Sequence, residues 1–510
     1  MEDMRMVSKV GCAMVTAAGA SLLEVEADVS GGLPDIEMTG NLSVSVKDGR
    51  ERIRVAIKKC GFPFPQGRVT INIAPAALRK EGSGFDLAVA CAILEEIGIV
   101  DEEKLNGRIV VGELGLDGSV IGVRGVLPIV LAAYKAGYIG CVVPADNYEE
   151  ASMVSDIEIT PVEHLSQLAG SEFGMIMPKR ADINRKKDES RLDYSDISGQ
   201  DYAKKAILTA AAGRHNILLM GPPGAGKTML ASRIPTIMPE MSEQERLELA
   251  CLYSIAGKLG DGGNMGIRPF RAPHHSITTA ALAGGGRTIE PGEVSLASKG
   301  VLFLDELTRY DTRVIEQLRE PLESGKIMIN RVSGSYELPA DFMLVAAMNP
   351  CACGFYPDRT RCRCTAWEVN RHYGRISRPI LDRIDISVVL QRVNYDELTG
   401  RAKEKKRGCS SRDMREIVER VWSIQSDRLG EGRSNGRMTN DEIKKYCVLD
   451  ARSEKLVREA YEHYGLSARA YHKLLKVART LADIDGAERI AQEHILEALS
   501  YRVKDKGDEQ

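Results

Sequence analysis

The chain has no long hydrophobic run. No window of about 18 apolar residues occurs, so no transmembrane helix is expected. It carries no excess of one charge: 69 Lys and Arg against 72 Asp and Glu leave −3. That balance excludes a globally basic nucleic-acid coat, though not a local basic groove. Internal repeats and low-complexity stretches are absent, which argues against solenoids and fibrous arrays. The first residues, MEDMRMVSKVGCAMV, make a poor signal peptide, with early acids and a short apolar run. A cytoplasmic location is expected. The 11 cysteines form no disulfide framework, because the number is odd. Seven of them (Cys12, Cys60, Cys91, Cys141, Cys251, Cys409, Cys447) are scattered, mostly beside apolar neighbours like small buried hydrophobes.

What is present is length and order. A chain of 510 residues suggests about three domains. Residues 1–175 alternate strand-like runs (Arg68–Pro75, Arg108–Leu114, Ile139–Ala145) with a helical stretch at Phe85–Ile97, an α/β pattern. Residues 176–195 lose periodicity and are mostly charged, as a solvated linker would be. Over 196–400 a helix at Gln200–Ala212 precedes apolar strands at Asn216–Met220, Val301–Glu306 and Asp341–Asn349. Continuous apolar strands between helices imply a parallel sheet covered on both faces. Residues 401–510 turn helical and charged, with about four amphipathic helices after Asn440. The stretch 401–416 carries seven basic and three acidic side chains.

The segment GPPGAGKT (Gly221, Pro222, Pro223, Gly224, Ala225, Gly226, Lys227, Thr228) matches G-x-x-x-x-G-K-[ST] in full and stands between a strand and a helix. Such a loop turns its amides inward on phosphate, and the helix N-terminus adds partial positive charge. Lys227 is expected on the β- and γ-phosphates, Thr228 on Mg²⁺. VLFLDEL then puts Asp305 at the C-terminal end of an apolar strand, where sheets of this type hold ligands. Asp305 would hold the water shell of Mg²⁺, and Glu306 would polarise the attacking water. ATP and Mg²⁺ are thus the expected cofactors, and ATP hydrolysis the expected reaction.

The Asp-Glu pair, the later strand ending in Asn349 and the segment ILDRIDI (Ile380–Ile386) resemble an AAA+ ATPase. The resemblance implies that Asn349, as first sensor, orients the water. It implies that Arg383 is a finger reaching the neighbouring subunit's γ-phosphate, and that Arg469, in GLSARAYHKLLKVARTLAD, is the second sensor. The competing readings are a local ion pair of Arg383 with Asp382 or Asp385, and a plain helix-surface position for Arg469. A finger acting in trans implies a homo-oligomeric ring, usually a hexamer.

Longer motifs are similar to one branch, the magnesium-chelatase-like AAA+ family called YifB or ComM. They are RPFRAPHHSITTAALAGGG (Arg268–Gly286), PGEVSLASKGVLFLDEL (Pro291–Leu307), PADFMLVAAMNPCACG (Pro339–Gly354) and GRISRPILDRIDI, and the likeness runs from GLPDIEMTGN (Gly32–Asn41) to the C-terminal lid. Two departures stand out: Ser298-Lys299 where the family usually has His-Asn, and Arg378 where it usually has Gly. The N-terminal third resembles a Lon-protease-type domain through KEGSGFDLAVA (Lys80–Ala90) and GELGLDGSV (Gly112–Val120). Its Ser–Lys dyad positions fall on Gly84 and near Leu127, with Ser83 one residue off. The domain is therefore expected to be non-proteolytic and to serve oligomerisation or a protein partner.

Cys351, Cys353, Cys362 and Cys364 form C-x-C-x8-C-x-C within fourteen residues. Four thiolates suit a closed structural Zn²⁺ site; the competing reading is reduced cysteines or oxidation-prone pairs. Bound metal would pin the loop that leads to Arg383. Two segments are candidate pore loops that could grip DNA: Ser254–Gly286, with Arg268, Arg271, His274 and His275, and Gly325–Pro339, with Lys326 and Arg331. Paired histidines in a loop are also commonly structural. The resemblance implies a DNA motor that remodels branched DNA in recombination. The alternatives are a magnesium-chelatase ATPase subunit and a protein-remodelling ATPase with a partner-binding N-terminal domain.

Overall fold

The computed structural model describes residues 7–170, 192–259, 266–286, 290–331, 334–392 and 409–502. Residues 176–191 of the expected linker, 401–408 of the basic run and the side chain of Arg331 lie outside the described residues. The chain forms two compact units: Met1–Arg185 with Arg246–Met265, and Lys186–Glu245 with Gly266–Gln510. Arg246–Met265, assigned by sequence to the ATPase core, thus belongs to the first unit.

The first unit is built on a seven-stranded mixed sheet, in the order Asp35–Thr39, Arg68–Ala74, Gly19–Ser30, Ser8–Thr16, Arg108–Val110, Gly140–Pro144 and Glu158–Val162. The long hairpin Ser8–Thr16 and Gly19–Ser30 is antiparallel, and the last three strands run parallel to one another. Alternation divides the hairpin between two apolar clusters, Val10, Cys12, Leu23, Val25 and Ala27 on one face and Ala13, Val15, Ala20 and Leu22 on the other. The helix Asp86–Glu96 is buried along nearly its whole length, as its Ala- and Leu-rich composition requires. The helix Val126–Lys135 lies in a separate apolar cluster with Ala250, joined by Leu247, Cys251 and Leu259. Within that cluster's neighbourhood the Ser254 hydroxyl donates to Glu150 at 2.8 Å. Leu247–Leu259 is therefore core material, and the part of the first candidate pore loop from Ser254 to Leu259 is docked rather than free.

The second unit carries a five-stranded parallel sheet in the order Phe270–Arg271, Val301–Leu304, Met343–Met348, Ile217–Met220, Ile386–Val389. Three of these strands, ILLM, VLFL and MLVAAM, are buried at every residue, which only a sheet covered on both faces allows. The C-terminal helices share this core instead of forming one of their own. Val418 and Val421 of Ser411–Leu429, and Val477, Ala478 and Leu481 of Ala468–Ile484, join the sheet residues in one apolar cluster. Polar ties repeat the junction: Trp422 Nε1 donates to Ala211 O at 3.1 Å, and Gln425 Nε2 to Ala212 O at 2.8 Å. Asp341 takes Arg214 at 3.0 Å, Lys299 at 3.4 Å and Arg437 at 3.6 Å. No helix among the described residues is long and apolar enough to cross a membrane.

Candidate active site

The loop Gly221–Gly226 leaves the end of Ile217–Met220 and turns into the helix Lys227–Ser232. Gly224 and Gly226 stand at φ 76° and 87°, where a side chain would be strained. A Cβ added at either would meet nothing within 4 Å, so this part of the loop is open to a ligand. Lys227 Nζ donates to Gly221 O at 2.7 Å, Pro222 O at 3.1 Å and Asn349 Oδ1 at 3.0 Å. Its hydrogen bonds are thus to neutral acceptors. Burial pulls its pKa down, and Asp305 and Glu306 oppose that shift. A half-buried cation on neutral carbonyls is a site suited to an anion.

Parallel register brings the other groups to the same sheet edge. The Thr228 hydroxyl donates to Asp305 Oδ2 at 2.9 Å, and Asp305 Oδ1 accepts the Glu306 amide at 2.8 Å. Thr228 and Asp305 are a donor set fit for Mg²⁺: two hard oxygens that already meet beside the phosphate loop. Glu306 adopts φ 50°, ψ 48°, a left-handed conformation that costs a non-glycine residue of order 1 kcal/mol. Its carboxylate pairs with Arg309 at 2.7 Å.

The two arginines named from the sequence lie elsewhere. Arg383 donates to Glu323, and also to Pro379 O at 2.6 Å and Arg319 O at 3.2 Å. Arg469 reaches the same Glu323 at 3.7 Å. Neither the Asp382 nor the Asp385 pairing expected as the alternative for Arg383 occurs among these bonds; Asp385 faces His215 and the Asn216 amide. Arg383 and Arg469 thus meet at Glu323, and none of these bonds involves Lys227, Thr228, Asp305 or Asn349. Arg378, at the start of a short helix, is exposed.

Several contacts were invisible in sequence. His372 Nε2 lies 3.0 Å from Asn349 O and 3.4 Å from the Thr308 hydroxyl. It joins the end of the Asn349 strand to the turn after Glu306. Arg309 carried a weak signal, three residues after Glu306; His372 carried none. Gln200 Nε2 donates to Ala225 O at 3.4 Å and Gln391 O at 2.6 Å, tying the phosphate loop to the segment after the last strand.

Two candidate DNA contacts are corrected. Arg268 is buried, bonded to Pro239 O (2.6 Å), Lys299 O (2.7 Å) and Glu245 (3.0 Å), with its guanidinium over Trp422. Arg271 is paired with Glu293 at 2.6 Å. Desolvating an arginine requires such partners, so Arg268 is structural, and Arg271, half-buried, already has an acid for a partner. In the hairpin, Lys326 pairs with Glu337 across the strands at 2.6 Å. The His274 and His275 rings lie with centroids 4.0 Å apart, tilted by 41°, and His275 packs edge-on to Tyr310. Lys299 stands at φ 62°, a conformation asparagine adopts more readily than lysine.

The four cysteines meet. Their sulfurs all lie within 4.8 Å of one another. The Phe355 amide lowers the Cys353 thiol to about 7, whereas burial pushes Cys362 up to about 12. In the first unit, Gly84 has no side chain, Leu127 is fully buried, and the Ser83 hydroxyl donates to Glu113.

A parallel sheet with a phosphate loop, an acidic strand end and a strand-end asparagine beside it defines a P-loop core of the AAA+ type. Family models agree. The magnesium chelatase subunit ChlI model matches residues 193–398, a second ChlI model residues 25–147, and the ChlI C-terminal model residues 408–502. The competence protein ComM of Haemophilus influenzae is 40% identical over 491 residues, 95% of each chain. The uncharacterized protein YifB of Salmonella typhimurium is 38% identical over 487 residues, 95% of this chain and 94% of its own. The magnesium-chelatase 67 kDa subunit of Chlorobaculum parvum is 29% identical over 159 residues, 31% of this chain and 23% of its own. The chain belongs to the ComM/YifB family of magnesium-chelatase-like AAA+ proteins.

Proposed function

We propose that this protein hydrolyses ATP as a homo-oligomeric ring, a hexamer, and uses that energy to move or remodel DNA in the cytoplasm. The observation that carries the hydrolytic part is the meeting of Lys227 with Asn349 and of Thr228 with Asp305 at one sheet edge. Bound Mg²⁺ would neutralise charge on the β- and γ-phosphates. Thr228 and Asp305 would hold it. Lys227 exchanges its carbonyl partners for phosphate oxygens. Glu306 orients and polarises the attacking water, and Asn349 holds that water in line. Arg383 acts in trans on the neighbour's γ-phosphate, a reading supported by its bonds to Glu323, Pro379 O and Arg319 O, none of which involves the phosphate loop. Arg469 acts beside it as the second sensor.

DNA is the proposed track because a relative matched over 95% of both chains bears the name competence protein. A magnesium-chelatase role is the weaker reading, since the Chlorobaculum parvum subunit matches over only 31% of this chain, against 95% for the competence protein. The N-terminal unit is proposed as a non-proteolytic docking or assembly domain, because no Ser–Lys pair stands at its dyad positions. The test is ATP turnover with and without single-stranded and four-way-branched DNA, with Glu306→Gln as control. Stimulation by DNA that the substitution abolishes is expected. Hydrolysis indifferent to every DNA would remove DNA as the activator and leave the ATPase.

A further inference from the structure

We propose that Cys351, Cys353, Cys362 and Cys364 bind one Zn²⁺ whose task is to hold the first sensor and the phosphate loop in working register. This rests on the reading of Asn349 as the sensor. The sulfur positions suit the ion. Cys351–Cys353, Cys351–Cys362 and Cys353–Cys362 are 3.3, 3.8 and 3.5 Å apart. A tetrahedron with Zn–S bonds of about 2.3 Å has edges of about 3.8 Å. None of the thiols is in a disulfide. A set of four thiolates with no carboxylate or imidazole selects a soft ion and leaves no open position for chemistry.

The loop has turn hydrogen bonds but little apolar core of its own. Its local apolar cluster has only Cys351, Cys362 and Val369 fully buried, with Phe355, Tyr356, Cys364 and Tyr373 at the edge. Cores that small are held by metal or by cross-links. The Tyr356 amide already donates to Cys351 Sγ at 3.4 Å, the kind of outer contact that orients a thiolate ligand.

Both ends of the loop lead back to the phosphate loop and the Asn349 strand end. Cys351 lies two residues after Asn349. Gly354 abuts the phosphate loop so closely that an added Cβ would fall 2.6 Å from Pro223 Cδ. Cys364 runs straight into the helix Ala366–Tyr373, started by the Thr365–Glu368 capping box. That helix returns to the site: His372 reaches Asn349 O, and the Tyr373 hydroxyl lies 3.7 Å from Met220 Sδ at the strand end. One ion would therefore close a circuit from Asn349, through the loop and helix, back to the Asn349 carbonyl.

The test uses the full-length protein purified under reducing conditions. One zinc per chain is expected, and replacement by Co²⁺ should give the intense visible bands of a tetrahedral thiolate site. Stripping the metal should speed amide exchange in residues 221–228 and 349–354. It should lower kcat by about 10-fold or more, with KM for ATP changed less, and readdition should restore both. His372→Gln should keep the cobalt spectrum yet share the fall in kcat, which a merely structural metal would not require. Absence of metal and of the cobalt spectrum would overturn the proposal. Metal bound but with unchanged exchange and kcat on removal would overturn the coupling. If neither parent nor Glu306→Gln turns over ATP, the ATPase reading fails instead, and the exchange measurement still decides the coupling.

Discussion

Arg383 and Glu323 are bonded within one chain, and the same carboxylate also lies 3.7 Å from Arg469. The two arginines that the family likeness nominates for work on the nucleotide thus share one acceptor, Glu323. Arg383 is nearly buried, whereas Arg469 is two-thirds exposed. A shared acceptor makes their positions interdependent.

A trans role for Arg383 predicts complementation. Arg383→Ala and Lys227→Ala should each abolish turnover alone. Mixed rings should recover to roughly a quarter of the parent rate, since a Lys227→Ala subunit still offers its arginine to an intact phosphate loop next door. Steady-state ATPase of mixtures reads this. No recovery in rings shown to be mixed would place the arginine's role in cis.

Glu306→Gln should lower kcat by about 100-fold or more while ATP binding persists, because the amide keeps the shape and loses the base. Nucleotide affinity by equilibrium titration separates the two effects. Weakened binding with unchanged turnover of bound ATP would remove Glu306 from the hydrolytic step.

Arg309→Ala frees the Glu306 carboxylate. The pair is exposed on both sides, so its stability value is small. The expected consequence is kinetic: basal hydrolysis rises by about 2- to 3-fold and loses part of its salt dependence. A fall in basal rate would show that Arg309 assists the reaction.

Asp341 predicts acid sensitivity. Burial pushes its carboxyl up, but Arg214, Lys299 and Arg437 outweigh that and hold it at about 2 against 3.8 unfolded. Because the folded value is the lower one, its stabilisation is complete above about pH 4 and is lost as the pH falls toward 2. The difference is worth about 2 kcal/mol. Asp341→Asn should remove that part of the pH dependence of chemical unfolding, most visibly in signals from the C-terminal helices, which Arg437 adjoins.

Arg268→Ala should destabilise the second unit by about 3 kcal/mol, the usual cost of breaking a buried ion pair. It should leave the salt dependence of any DNA binding unchanged. A reduced salt slope, measured on folded protein, would return Arg268 to the DNA surface.

Much of this protein is local in its sequence. The phosphate loop, the Asp305–Glu306 strand end and the Asn349 strand are written as short apolar runs ending in polar residues. A buried parallel sheet requires that pattern of any sequence that forms it. The four cysteines are close neighbours along the chain, so their meeting was also legible. The tertiary structure decided what depended on residues far apart. Glu323 as the partner of Arg383 lies 60 residues away, and His372 under Asn349 comes from a helix with no motif. Arg268 and Arg271 looked like free positive charge, yet each found an acid and lost that freedom. Leu247–Leu259 sits between ATPase segments in sequence and in the first unit's core in space. Burial and pairing are properties of neighbours brought together by folding. A charge or an apolar stripe can be read from residue order; the partner that neutralises or covers it is chosen only when the chain closes.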